Sequence, residues 1–242
     1  MQQTLLFFFL AFLSEIAGTV GGFGSSIFFV PLAQFFFDFK MVLGITAMLH
    51  VFSNAAKLVF FREHFSWRLV LVIGTPSVLL VIVGAYLSDV INVKYAEVIL
   101  ASFCILFSIF FLWKPDFKIA PSIVNGASGG AIAGFIAGLV GTGGAIRAIC
   151  LSAFALEKNV FVATSAAIDF GVDFSRSFIY FYKGYMNASS WLYVPGLFAI
   201  AFAGSYVGKK ILNKVSQENF KRIVLLFVLI TGVALLIKTF SG

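Results

Sequence analysis

Two clusters of glycine, in Ala17-Gly18-Thr19-Val20-Gly21-Gly22-Phe23-Gly24 and about 120 residues later in Ala137-Gly138-Leu139-Val140-Gly141-Thr142-Gly143-Gly144, interrupt the two longest apolar runs of the chain. Those runs, residues 4–37 and 123–156, exceed a straight bilayer-crossing helix, which needs about 20 residues and tolerates about 25. Each must bend, and glycine is where backbone bends most freely. A run broken into two short limbs can enter the bilayer and return on the same side. With three full crossings beside it, an odd number, each half becomes an inverted copy of the other. Broken apolar segments at matching positions in two halves point to a transporter's binding site.

Composition excludes a water-soluble domain. Hydrophobic residues make up 61% of the 242 and charged residues only 11%, where soluble domains carry roughly a quarter charged; mean hydropathy is +1.04. The fold class is an all-α polytopic membrane protein. Its apolar runs fall at 4–37, 41–61, 68–88, 95–113, 123–156, 160–182, 190–208 and 218–238. This divides the chain into a first transmembrane repeat (1–113), a linker rich in charge and proline (114–121) and a second repeat (122–242). The halves also match at Thr75-Pro76 and Val194-Pro195, and at Gly84-Ala85-Tyr86-Leu87 and Gly204-Ser205-Tyr206-Val207. Met1-Gln2-Gln3 has no basic n-region and no small-x-small signal follows, so the first run is expected to be an uncleaved span. Cys104 and Cys150 lie far apart inside apolar runs, without metal-ligand spacing, and are expected to be inert thiols.

Basic residues test the topology. Eight plain crossings split Lys and Arg almost evenly between the two sides. The re-entrant arrangement gathers Arg62, Arg68, Lys114, Lys118, Lys158, Lys209, Lys210, Lys214, Lys221 and Arg222 on one face and leaves Lys40, Lys94, Lys183 and Lys238 opposite. The positive-inside rule favours the second, with both termini outside the cytoplasm. The net charge of +7 is then a topology signal with weak steering of anions, and no nucleic-acid partner is implied.

Helix resuming after Gly24 and after Gly144 would aim free N–H groups at a cavity, an oxyanion site that needs no charged side chain. Gly21, Gly22 and Gly24, and Gly141, Gly143 and Gly144, are therefore expected to break their helices there, with Ser25, Ser26 and Thr142 adding hydroxyl donors. Gly126, Gly130, Gly134 and Gly138, spaced every four residues, read instead as a close-packing face.

The second constellation is ionisable. His50-x-x-x-Asn54-x-x-Lys57 recurs as Asp169-x-x-x-Asp173-x-x-Arg176, each trio on one helix face. A charge at membrane depth costs about 3 kcal/mol on insertion scales, so such residues face a cavity or a partner. Lys57 and Arg176 have the alternative of snorkelling to the interface. Asp169 and Asp173 are either proton carriers or counter-ions to Lys57, Arg176 or Arg147. Glu15 and Arg147 flank the two breaks, without charged counterparts in the opposite half, as a proton acceptor and an anion ligand. His64 reads as an interfacial loop residue.

The glycine break followed by Val30-Pro31-Leu32, then Gly44-x-Thr46 leading a second span, the Arg62/Trp67 loop, and the repetition of this order resemble the sulfite exporter TauE/SafE family of small bacterial permeases. The resemblance implies transport of sulfite or an organosulfur anion across the cell (inner or plasma) membrane, driven by the proton gradient. The expected partners are a small anionic substrate, protons and the bilayer, with homo-oligomerisation left open and no cofactor or metal. Substrate is expected at the glycine breaks with Arg147, Lys57 and Arg176, and proton coupling at Asp169, Asp173, His50 and Glu15. The chain is not expected to be an enzyme. The alternatives are a membrane-embedded redox or enzyme subunit, against which stand unpaired cysteines and only two histidines, and a non-transporting partner protein.

Overall fold

The computed structural model describes residues 2–22, 24–62, 65–90, 92–114, 121–188 and 190–241. These form helices and connecting turns, with no strand among the described residues. His64 and the linker at 115–120, with Lys118, lie outside them. The first apolar run is two helices, α1 (Gln2–Gly21) and α2 (Ser26–Ala33); the fifth is likewise two, α7 (Ile123–Val140) and α8 (Gly144–Ser152). Between lie α3 (Phe39–Phe60), a short α4 (Trp67–Leu69) that runs through a π-helical stretch (Val70–Gly74) into α5 (Thr75–Leu87), and α6 (Val93–Trp113). The second half continues with α9 (Lys158–Tyr182), a 3-10 turn (Ser190–Tyr193), α10 (Val194–Lys214) and α11 (Gln217–Ser241).

Among the described residues, five stretches are long and apolar enough to cross a bilayer: Gln2–Gly21, Phe39–Phe60, Trp67–Leu87, Ile123–Val140 and Ser190–Lys214. Helix α9 is long enough but holds Asp169, Asp173 and Arg176 in its middle, so its charges are stabilised by neighbours and not by lipid.

Both breaks turn the chain back. Gly22 closes α1 with its N–H on the Gly18 carbonyl (2.9 Å) and has positive φ. Phe7, near the start of α1, packs on Phe36 and Phe37 just beyond α2, with centroids 5.7 and 5.1 Å away. The first hairpin thus opens toward the end of the molecule where α3 begins. Gly141 ends α7 in the left-handed region (φ 81°), where a side chain would be strained. A Cβ at Gly126 in α7 would meet Phe154, just past α8, and Val72 of the π stretch. The second hairpin thus opens toward the opposite end, where α4 starts and α9 begins.

The helices pair in a reciprocal pattern. α1 lies on α10 and α7 on α5; α10 lies on α3 and α5 on α9; α2 follows α1 onto α3 as α8 follows α7 onto α9. α3 pairs with α9, and α6 with α11. Small residues set the closest approach, because helices in lipid associate through packing and not through a hydrophobic drive. A Cβ at Gly130, Gly134 or Gly138 of α7 would strike the carbonyl oxygens of Ile73, Ser77 or Val81. Those glycines form the packing face that their spacing suggests.

Basic residues separate between the two ends. Lys40 and Lys183 both bind Asp89, at 2.9 and 2.6 Å; Lys238 lies over Phe39 and Lys94 over Phe240. At the far end Lys209 donates to the Phe60 carbonyl, and Lys158 donates to those of Leu212 (3.1 Å) and Val215 (2.5 Å) at the close of α10.

Candidate functional site

The two breaks meet in the middle of the bundle, where the Ser26 hydroxyl donates to Thr142 Oγ1 at 3.4 Å. Around this junction lie seven buried ionisable side chains: Glu15, Asp169 and Asp173, Lys57, Arg147 and Arg176, and His50. Lys57 is 3% and Arg176 1% exposed, so neither snorkels to an interface. Each has found a buried partner instead.

Glu15 on α1 is surrounded. Lys57 of α3 forms an ion pair with it at 2.7 Å and also donates to Ser53 at 2.7 Å. Hydroxyls of Ser25 (2.6 Å), Ser53 (2.5 Å), Ser205 (3.2 Å) and Thr19 (3.3 Å) all donate to the same carboxylate. Gly204 allows this approach, since a Cβ there would sit 2.8 Å from the Glu15 Cβ.

Asp173 on α9 accepts from Asn54 Nδ2 at 2.8 Å and pairs with Arg176 Nη2 at 2.7 Å. His50 Nδ1 stands 3.4 Å from the same carboxylate, and its Nε2 lies 3.1 Å from Ser25 Oγ. The guanidinium of Arg176 also donates to the Ala137 carbonyl (3.0 Å), and Tyr180 donates to that of Gly138 (2.6 Å). The first adds to the Gly141 N–H that Ala137 already accepts (3.1 Å), and the second closes the Gly138 carbonyl in the last turn of α7. The Nε of Arg176 is a buried donor without a hydrogen-bond partner.

Asp169 differs. Both its oxygens are gripped by Arg147 of α8 in a forked pair, and Arg147 Nε donates to Ser165 at 3.1 Å. Asp169 also lines a narrow crevice, with Gly18, Gly22, Gly24, Asn54, Lys57, Val162, Ser165 and Ala166. The crevice is too tight in this conformation to hold a water. Gly24, with φ 91°, keeps it open on one side; a Cβ there would lie 3.3 Å from His50 Cε1 and 3.7 Å from Asp169 Oδ2.

Of the residues singled out by sequence, Gly22, Gly24, Lys57 and Asp169 line this crevice, and Ser25, Glu15, His50, Asp173 and Arg147 join it through hydrogen bonds and ion pairs. Gly21 closes α1 and is buried. The second break takes another role: Thr142 meets Ser26, Gly143 packs against the Ala133 carbonyl, and Gly144 starts α8, all buried. Sequence reasoning missed Ser53, Ser165, Ser205 and Thr19. Ser53 and Ser165 precede Lys57 and Asp169 by four residues, so helical spacing could have found them. Ser205 stands where the matching motif has Ala85, a substitution with polar consequence.

At one end of the molecule, Asp89 takes Lys40, Lys183 and the Tyr185 hydroxyl (2.6 Å), while Ser88 Oγ lies 2.8 Å from Tyr185 Oη. The ammonium and hydroxyl donors, led by Lys183, hold the Asp89 carboxyl well below the usual carboxylate range. Desolvation, and then the bond to Asp89, pushes the Tyr185 phenol upward. Cys104 and Cys150 are free thiols, the first buried and the second half-buried.

A bundle of apolar helices long enough to cross a bilayer, with its charges buried at the centre, is the architecture of a multi-pass membrane protein. The family model described as sulfite exporter TauE/SafE matches residues 7–235, and the chain belongs to that family. No curated protein and no solved structure matches it.

Proposed function

We propose that this chain is a secondary transporter of a small oxyanion, sulfite or an organosulfur anion, coupled to protons and working by alternating access. One observation carries the reading: the acids, bases and histidine converge on a closed crevice where two oppositely directed hairpins meet. Ionisable groups at membrane depth serve an ion path or each other, and here they do both. The substrate is bound beside the first break by Lys57 and Arg147, with the backbone at Gly24 and Ser25 and the Ser26/Thr142 pair completing the donors. Arg176 holds the second break together and supplies its unpartnered Nε. Asp169, Asp173, His50 and Glu15 form the proton-coupling set.

The reciprocal helix pairing and the opposed hairpins support two inverted repeats, 1–113 and 122–242, with 114–121 between them. Because the crevice excludes even water in this conformation, an anion enters only after the helices around it move apart. The end carrying Arg62, Lys158 and Lys209 is then the cytoplasmic face of the cell membrane, and both termini lie opposite. A C-terminal reporter active only outside the cytoplasm tests this; activity of a cytoplasm-only reporter would reverse it.

Purified protein in liposomes, challenged with a panel of sulfur oxyanions with and without a pH gradient, tests the function. Gradient-driven accumulation of sulfite or a sulfonate is expected. No exchange of any of these anions would overturn the reading.

A further inference from the structure

We infer that the centre takes one monoanion together with one proton, and that the proton sits on His50. This rests on the transport reading above and gives it a charge stoichiometry. Three buried carboxylates, Glu15, Asp169 and Asp173, face three buried cations, Lys57, Arg147 and Arg176. With His50 neutral the centre carries no net charge, and with His50 protonated it carries +1. One monoanion then restores neutrality, which the low-dielectric interior favours strongly over any other count.

The hydrogen bonds say where that proton goes. Serine has a single hydroxyl proton, and Ser25 gives it to Glu15 at 2.6 Å. Ser25 Oγ can therefore only accept from His50 Nε2, 3.1 Å away, which must carry a proton. In a neutral ring this leaves Nδ1 bare, its lone pair facing the Asp173 carboxylate at 3.4 Å. Asp173 has no proton to offer, because it already accepts from Asn54 and pairs with Arg176. A proton on Nδ1 turns this repulsion into a charge-assisted hydrogen bond, and the imidazolium then donates on both sides.

The surroundings leave His50 as the variable member. From α1 it faces Glu15 through Ser25, and Glu15 is fixed by Lys57 and four hydroxyls. From α9 it faces Asp173, fixed by Arg176, and across Gly24 it faces Asp169, fixed by Arg147 of α8. Its own helix contributes Lys57 and neutral Asn54; the first break contributes the Ser25 hydroxyl, and α10 reaches the centre through Ser205 on Glu15. Every carboxylate has a dedicated cation, and only the imidazole gains or loses charge without stranding a partner.

Electroneutral co-transport has a quantitative signature. In liposomes holding the full chain, labelled sulfite, counted as hydrogen sulfite, should accumulate tenfold for each unit of imposed pH difference. A membrane potential of either sign, set by valinomycin and potassium, should leave that ratio unchanged, and a trapped pH dye should report one proton moved per hydrogen sulfite. His50→Gln keeps polar contacts but cannot titrate, so its accumulation ratio should lose the dependence on the pH difference. Accumulation by wild-type protein that follows the potential, or that rises a hundredfold per pH unit, overturns the proposal, as does a His50→Gln protein that still concentrates sulfite tenfold per unit. If His50→Gln fails to fold, the potential and dye measurements on the wild-type chain still decide. Absence of sulfite self-exchange in the wild type, with no gradient at all, would instead sink the transport reading itself.

Discussion

Glu15 and Asp169 are both buried carboxylates beside a helix break, each paired with one cation, yet their surroundings are opposite in kind. Glu15 is enclosed by Lys57 and four hydroxyls drawn from α1, α3, α10 and the first break, and it is fully buried. Asp169 answers to Arg147 alone and borders the crevice. The signs are also exchanged: the acid rides on the broken α1 in the first half, and the base on the short limb α8 in the second. A carboxylate held by many short bonds from several helices ties those helices together. One held by a single forked pair can give up its arginine to another anion, which is why Arg147 is the anion ligand in the proposed function.

The largest effect should come from breaking the enclosed couple. Lys57→Met strands Glu15 in a dry site, and removing one partner of a buried pair costs about 3–5 kcal/mol. Thermal unfolding in detergent should show the loss, and the double variant Glu15→Gln/Lys57→Met should recover most of it. If Lys57→Met unfolds like wild type, Glu15 is not the tie described here.

Asp169→Asn should act on transport more than on the fold. It costs about 1–3 kcal/mol through the altered partner of Arg147, but it leaves the centre at +1 with His50 neutral. Anion movement should then become sensitive to membrane potential and insensitive to pH difference. Asp173→Asn shares the charge change but also frees His50 Nδ1 and Arg176, so the loss of pH-driven accumulation should come with a lower unfolding temperature. Asn variants that keep wild-type pH and potential dependence would mean that these carboxylates leave coupling untouched.

A smaller step separates the hydroxyls. Ser53→Ala and Ser205→Ala each remove one bond to Glu15 and should cost about 1 kcal/mol in stability. Ser165→Ala, beside Arg147, should alter sulfite affinity with little change in unfolding. Equal stability losses at all three sites would erase the distinction between the two couples.

Asp89, a carboxylate partly open to water, is the mildest case. Its carboxyl titrates lower in the folded protein than its ordinary value near 4. The stabilisation is therefore fully present above pH about 5 and fades as pH falls below that ordinary value toward the folded one. Asp89→Asn should lower the unfolding temperature slightly near neutral pH, and the difference from wild type should vanish as pH falls, taking the acid-side slope with it. Salt should weaken the same cluster, since exposed ion pairs are screened.

Much of this was legible in sequence. The eight apolar runs, the two breaks and the α7 packing face follow from length and residue spacing, which are local properties. The facing trios led to His50, Lys57, Asp169, Asp173 and Arg176 because charge is conspicuous among Phe, Leu and Val. Their partners were not legible. Glu15 meets Ser205 across 190 residues of chain, and serine in a membrane helix usually satisfies itself on a carbonyl one turn back, as Ser14 and Ser175 do here. Nor could spacing tell that Lys57 and Arg176 reach inward, because a long cationic side chain can go either way until its partner is known.

The glycine contacts also dictate which parts travel together. α7 rests on α5 with backbone against backbone over several turns, and α10 rests on α1 where Gly204 and Gly208 meet Glu15 and Thr19. Surfaces fitted that closely have no slack for sliding, so each pair behaves as a single stiff beam. Compliance is left to the glycines at Gly22 and Gly24 and the turn at 141–143, and the alternating access proposed above would then be a rocking of two beams against the α3/α9 axle.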